Sequence, residues 1–341
     1  MQITDTAMKN CCFIFITAFL LTGIVLTSCK KEKSKIKYEY GTFPDTVINL
    51  AALNTEFNDY NISPDPDGLY NLTASFPLVF SSDRNSSGAG FDLVYGYVNY
   101  DFSRVTGSFT LSSEMVENAF FKNLISKMNT PGNDYGPNRI YCSSDGFEYT
   151  FVASDISGKG LDIRYSKYLP LYSSTTVIPS PVSVSLINSS SNDAYISFNG
   201  SLDTLYFCSD RGGDFNIYYL RKGNGISFND WLLSSQSVAA GIDSISTPAD
   251  EKCPYISGRV MVFASDREGG FGGWDLYYSV FRGGKWSSPR NMGDRINTSY
   301  NEYRPVVVTN NSFTNKLLLF SSDRTGGKGG YDLYFSSLNI K

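Results

Sequence analysis

Any chemistry this chain performs has to rest on carboxylates, Tyr, Lys or Cys, because it contains no histidine. That absence removes Ser-His-Asp and Cys-His catalysis, histidine-ligated zinc and histidine as a general base. Two sets of acids stand out by spacing. Asp83, Asp155, Asp210, Asp266 and Asp323 each follow a serine at the end of an apolar run. Upstream of each lies a second acid: Asp59, Asp134, Asp193, Glu251 or Glu302. Arg84, Arg211, Arg267 and Arg324 follow four of the Ser-Asp acids, whereas Ile156 takes that place in the second copy.

Acid and arginine should meet on one rim of the fold, either as structural ion pairs or as a charged funnel for a sugar or peptide. Partly exposed pairs are worth only about 0–1 kcal/mol each, so their repetition points to geometry more than to stability. Asp134 is the test, because its copy lacks the arginine.

The elements that position these groups are strands. Leu319–Tyr334 reads as an apolar strand ending in Ser-Asp, a glycine-rich turn and a strand opening Asp-Leu, and Val262–Tyr277 nearly duplicates it. Weaker copies begin near Val79, Val152 and Tyr206. The Ser-Asp acids lie 72, 55, 56 and 57 residues apart. Such a unit holds four short strands and their turns, which is one propeller blade. The expected fold is therefore all-β: a five-bladed β-propeller spanning residues 38–341.

The long first spacing predicts an insertion at 114–128. Its apolar residues fall on one helical face, with Ser113 as the candidate N-cap. The last copy lacks a fourth strand of the kind that Lys285–Asn291 supplies in the copy before it. Residues 38–50 are in register to provide one and so to close the ring, removing exposed strand edges.

Residues 1–29 read as a targeting segment. Lys9 precedes an apolar run from Cys11 to Leu26, short for a spanning helix, and Met8 resembles a more usual start than Met1. The run ends Leu26-Thr27-Ser28-Cys29, resembling a bacterial lipobox in which Cys29 carries diacylglycerol. Residues 30–37 form a charged tether. Lys30 after Cys29 is no Asp-type retention signal, so the expected location is the outer membrane, facing periplasm or medium. Cys142, Cys208 and Cys253 remain in the domain, an odd count that does not form a disulfide framework. A net charge of −4 offers no footprint for nucleic acid.

The phrase Ser-Asp-Arg-x-Gly-Gly-x-Gly-Gly-Tyr/Trp-Asp-Leu-Tyr, strongest at Asp266 and Asp323, resembles the WD40-like (TolB-type) β-propeller repeat of bacterial envelope proteins. The resemblance implies a lipid-anchored propeller that binds an envelope protein or a glycan and has no catalytic residues. The alternative is a carboxylate-dependent glycoside hydrolase. It needs two or three acids placed once each near the centre, whereas the prominent acids here recur in every blade. Asp65, Asp67 and Glu148 are single-copy acids near turns expected on the opposite rim. No cofactor is expected. Acid pairs such as Asp266 and Asp275 could hold calcium in their oxygen-rich turns, but variable turn lengths and Asn216 in one acid's place favour turn-stabilising roles.

Overall fold

The computed structural model describes residues 35–64, 71–156, 158 and 160–340. The targeting segment with Cys29, most of the tether, Asp65 and Asp67 lie outside the described residues. A short leading strand, β1 (Ile48–Asn49), precedes blade one: β2 (Asp59–Pro64), β3 (Thr73–Ser82), β4 (Asp92–Phe102) and β5 (Phe109–Glu114). Helix α1 (Ala119–Met128) leads to blade two: β6 (Asp134–Cys142), β7 (Phe147–Ser154), β8 (Asp162–Tyr168) and β9 (Val182–Ser183). Blade three has β10 (Asp193–Phe198), β11 (Thr204–Ser209) and β12 (Asn216–Arg221), then helix α2 (Phe228–Leu233) and β13 (Ala240–Gly241). Blade four has β14 (Glu251–Ser257), β15 (Val260–Ser265) and β16 (Asp275–Arg282), with its outer position shared by β17 (Lys285–Trp286) and β18 (Arg290–Asn291). Blade five has β19 (Glu302–Val308), β20 (Lys316–Ser322) and β21 (Asp332–Leu338).

All strands within a blade pair antiparallel, and the inner strands β2, β6, β10, β14 and β19 adjoin one another around the axis. The leading strand completes blade five, with Ile48 opposite Phe335 and Asn49 opposite Tyr334. The predicted closure is therefore present. It is reinforced upstream by Phe43, which stacks on Phe313 at 3.8 Å between ring centroids.

One hydrogen-bond pattern stitches each blade to the next. The first residue of an inner strand donates its N–H to the last turn residue of the preceding blade. Thus Asp134 N reaches Phe91 O at 2.8 Å, Glu302 N reaches Trp274 O at 2.7 Å, and Asp59 N reaches Tyr331 O at 2.7 Å across the closing junction. The Ser-Asp acids brace these links. Asp83 accepts from both the N–H and the side-chain amide of Asn58, and Asp155, Asp210 and Asp323 do the same for Asn133, Asn192 and Asn301.

The apolar core divides into clusters lying between successive blades. Phe80, Val306 and Phe335 pack between blades five and one, and Phe151, Phe207 and Leu205 between two and three. Burying apolar surface between sheets is the main force holding the blades together. Helix α1 packs Phe120, Phe121, Leu124 and Met128 against blades one and two. Its start differs from expectation. Ser113 belongs to β5, and Asn118 is the cap, accepting from Phe120 N at 3.0 Å and Phe121 N at 3.2 Å. The β5 ladder extends to Glu114, which holds Ser113 in strand geometry.

Candidate active site

Every inner strand has the same local build. Its first residue is an acid, its third has a left-handed backbone, and a bulge follows. The left-handed residues are Asn61, Gly136, Tyr195, Cys253 and Arg304, with φ between 49° and 61°. The register shifts lie between Tyr60 and Ser63, Tyr135 and Asn138, Ala194 and Ser197, Lys252 and Tyr255, and Tyr303 and Val306. Left-handed geometry costs a non-glycine residue about 1–2 kcal/mol. Four of the five positions accept that cost, and strain of this kind collects at functional sites. Bulges also re-aim side chains.

The acids begin these strands on one rim. Asp59, Asp134, Asp193, Glu251 and Glu302 are all fully buried. Four have the arginine that spacing placed near them. Arg84 lies 2.5 Å from Asp59, Arg211 2.5 Å from Asp193, Arg267 3.0 Å from Glu251 and Arg324 3.0 Å from Glu302. Each arginine also donates to a carbonyl of the link preceding its own blade, as Arg324 does to Ile296 O at 2.6 Å. These arginines are clamps between a blade and its link. Burial still pushes Glu251 and Glu302 above the ordinary glutamate value.

Asp134 differs. Its carboxyl group accepts from Thr130 N at 2.6 Å and Thr130 Oγ1 at 3.2 Å, and no cation among the described residues lies within ion-pair distance. Ile156 stands in the arginine's place. Burial raises the pKa of Asp134 to about 6, with the charge of Asp92 adding to the rise. Asp92, across the blade junction, makes no side-chain hydrogen bond among the described residues. Its counterparts are engaged: Asp275 accepts from Phe271 N, Gly272 N and Asn291, and Asp332 from Lys328 N, Gly329 N and Asn49. One junction therefore holds a buried carboxyl with a raised pKa and a second carboxyl, Asp92, that makes no side-chain hydrogen bond among the described residues.

Aromatic rings surround the axis on the same rim. Tyr60, Tyr135 and Tyr303 are second residues of inner strands, while Phe91, Phe215, Trp274 and Tyr331 immediately precede the third strands. All are partly exposed. Tyr60 lies 5.0 Å from Phe91 and 6.1 Å from Tyr135, and Phe91 lies 5.2 Å from Tyr135. That trio sits beside Asp92 and Asp134. Lys252 lies over Phe215 at 4.0 Å and pairs with Asp250 at 2.9 Å. The sequence reading missed this bowl. Its signal was the aromatic letter before Asp-Leu, which that reading used only as part of the repeat phrase.

The opposite mouth is a cavity of about 270 Å³ lined by Ser63, Asn138, Arg139, Ser197, Tyr255 and Thr309 among others, with no carboxylate among the described lining residues. Glu148 lies nearby, fully buried, 2.6 Å from Arg139 and bonded by Tyr168 and Tyr172. It is committed to these partners and faces no opening. Cys142, Cys208 and Cys253 are buried free thiols. Among the described residues no group of three or more acid or cysteine side chains is placed to hold a metal ion.

No family model matches the chain, and no curated protein matches it. Solved structures do. An endo-arabinase from Bacteroides thetaiotaomicron shares 12% identity and a TM-score of 0.54, over 88% of this chain and 98% of that one. A thermostable family-43 glycoside hydrolase gives 12% and 0.54, over 86% and 94%. An α-L-arabinofuranosidase from Podospora anserina, in complex with cellotriose, gives 9% and 0.51, over 90% and 99%. At these identities what is shared is the fold.

This corrects the expectation of a non-catalytic scaffold that is not an enzyme. That expectation rested on repetition: acids present in every blade should be structural, and the repeat resembled a TolB-type binding protein. The five-bladed ring holds, but the similar structures are glycoside hydrolases rather than TolB-type proteins. The repeated acids are also not equivalent, since one of the five lacks its cation.

Proposed function

We propose that this protein is a glycoside hydrolase whose glycan binds in the aromatic bowl, with Asp134 as proton donor and Asp92 as the second carboxylate. The observation that carries this reading is Asp134. A buried acid with a pKa near 6 is half protonated at that pH, well above the ordinary carboxylate range, as suits a general acid working in mildly acidic to neutral solution. Hydrolysis of a glycosidic bond needs such an acid beside the leaving oxygen and an ionised carboxylate acting as base or nucleophile. Asp92 has no competing hydrogen bond and adjoins Asp134 across the blade junction. Tyr60, Phe91 and Tyr135 offer ring faces on which a sugar could stack. Thr130 covers the Asp134 carboxyl, so a bound glycan would take over its hydrogen bonds.

The fold shared with arabinose- and glycan-acting hydrolases supports the substrate class. Lipidation at Cys29 would place the activity at the outer membrane, within reach of oligosaccharides in the envelope.

The test is reducing-sugar release from arabinan, xylan, galactan and aryl glycosides. Asp134→Asn and Asp92→Asn should each lower the rate by about 10²–10⁴-fold, the span of general acid–base catalysis. A folded wild-type protein that releases nothing from the panel, or an Asp134→Asn protein with undiminished rates, would refute the proposal.

A further inference from the structure

Blade four alone among the described sheets carries a fifth strand. Its third strand turns back through Gly283-Gly284, with φ of 59° and 83°. Two positive values in succession are what a two-residue hairpin loop of the primed type demands. The return strand β17 sets Trp286 opposite Phe281 and Lys285 opposite Arg282. The hairpin lies at the end of blade four away from the acid rim, because β16 starts at that rim with Asp275 and ends at Arg282. It reaches blade three, where Trp286 meets Tyr206 at 5.9 Å between ring centroids.

Between the two blades it leaves a cavity of about 320 Å³. Small-molecule sites span about 300–1,000 Å³. Tyr206 and Trp286 line the cavity while almost fully buried, and Tyr219 and Phe281 line it half-exposed. Arg221, Lys285 and Asp243 are exposed members of the same lining. Among the described residues no carboxylate lies within ion-pair distance of Arg221 or Lys285, and neither side chain makes a hydrogen bond. The Arg221 guanidinium lies 5.8 Å from the Tyr219 ring centroid. The cavity therefore offers ring faces, two uncommitted cations and one carboxylate.

Each part selects a feature of the ligand. Aromatic rings bury the C–H face of a sugar ring. A carboxylate such as Asp243 accepts hydrogen bonds from hydroxyls. A planar carboxylate on the ligand matches the guanidinium fork of Arg221 and gains a charge-assisted bond from Lys285. A neutral sugar would leave both cations unused, and a bare phosphate would leave the rings unused. A uronic-acid residue uses all three.

We infer that this cavity is a second glycan site, one that holds a uronic-acid residue of an acidic polysaccharide. The sugar carboxylate lies on Arg221 and Lys285, its ring on Tyr219 and Phe281, and its hydroxyls on Asp243. The site retains the polysaccharide without cutting it. It is at the far end of the blades from Asp92 and Asp134, so it stands whether or not the bowl hydrolyses glycans.

The experiment is titration calorimetry of the full chain with a galacturonate oligosaccharide and with neutral arabinan and xylan oligosaccharides. Wild type should bind the acidic oligosaccharide more tightly than either neutral one. Arg221→Gln with Lys285→Gln should weaken the acidic ligand by about tenfold or more, the worth of hydrogen bonds to charged groups. Both side chains are exposed, so the double variant should fold as wild type does. Asp134→Asn should bind the acidic oligosaccharide as wild type does, which separates this site from the hydrolytic one. No binding of the galacturonate oligosaccharide, or equal binding of the neutral ones, would overturn the inference. So would a double variant with undiminished affinity, or an affinity lost in Asp134→Asn, since either would put the acidic sugar elsewhere.

Discussion

Blades two and five each open their first strand with an acid in the same backbone conformation, but only blade five gives that acid a cation among the described residues. Glu302 accepts from Thr298 N, Thr298 Oγ1 and Ser322 Oγ, and Arg324 completes the set at 3.0 Å. Asp134 keeps the equivalent threonine bonds. There Ser154 Oγ pairs with Thr130 Oγ1 at 2.9 Å, and Ile156 points outward where the arginine would be. The backbone stitch is unchanged, with Asp134 N on Phe91 O and Asn133 on Asp155. The ring is therefore built by stitches and interblade cores. The arginines neutralise acids that the stitch geometry buries, and omitting one leaves a carboxyl free to hold a proton.

The largest expected effect breaks the neutralised side of this comparison. Arg324→Ala would strand Glu302 as a buried, uncompensated carboxylate. Removing one partner of a buried pair costs about 3–5 kcal/mol, and denaturant unfolding at pH 7 should show a loss of that order. Arg84→Ala, Arg211→Ala and Arg267→Ala should behave alike. A loss below about 1 kcal/mol would place these pairs with ordinary surface salt bridges and remove the contrast.

The next test acts on the blade that already lacks its cation. An aspartate titrates near 3.9 when unfolded, and Asp134 near 6 in the fold. Between those values the native state binds more protons than the unfolded one, so stability falls as pH rises through that window. The difference amounts to about 2–3 kcal/mol at pH 7 by the same linkage. Asp134→Asn should remove that fall. It should be more stable than wild type at pH 7 and close to it below pH 4, as measured by urea unfolding across the range. A destabilised Asp134→Asn protein at pH 7 would show that the carboxylate is held ionised by a partner.

The contrast also marks how far the residues alone could be read. Repetition made the blades legible, because the glycine turns, the Asp-Leu openings and the Asn links serve geometry that every copy needs. Closure was legible from one missing strand. Helix α1 was placed to within a few residues, its cap missed because Ser113 and Asn118 are both good caps and only the β5 ladder chooses between them. The lumen was illegible for the opposite reason. Asn61, Gly136, Tyr195, Cys253 and Arg304 share one backbone conformation but no chemistry, so in sequence they read as noise between conserved-looking letters. Asp134, by contrast, was legible, since the informative fact was a missing arginine in one copy. Ile156 carried that signal.

The smallest expected effect rebuilds the missing clamp. Ile156→Arg would restore the Ser-Asp-Arg order found at Asp323, where the arginine reaches both the acid and the link carbonyl. If blade two differs only by this side chain, the new guanidinium should pair with Asp134 and lower its pKa toward the ordinary carboxylate range. Stability at pH 7 should rise by about 1 kcal/mol, less than Asp134→Asn gives, because a partly exposed arginine is itself desolvated on pairing. Any glycan hydrolysis should fall at pH 6–7, since the donor would no longer hold its proton. NMR titration of the Asp134 carboxyl in both proteins reads the shift directly. A pKa left near 6 in Ile156→Arg would mean that blade two departs from blade five in its backbone as well as in one side chain.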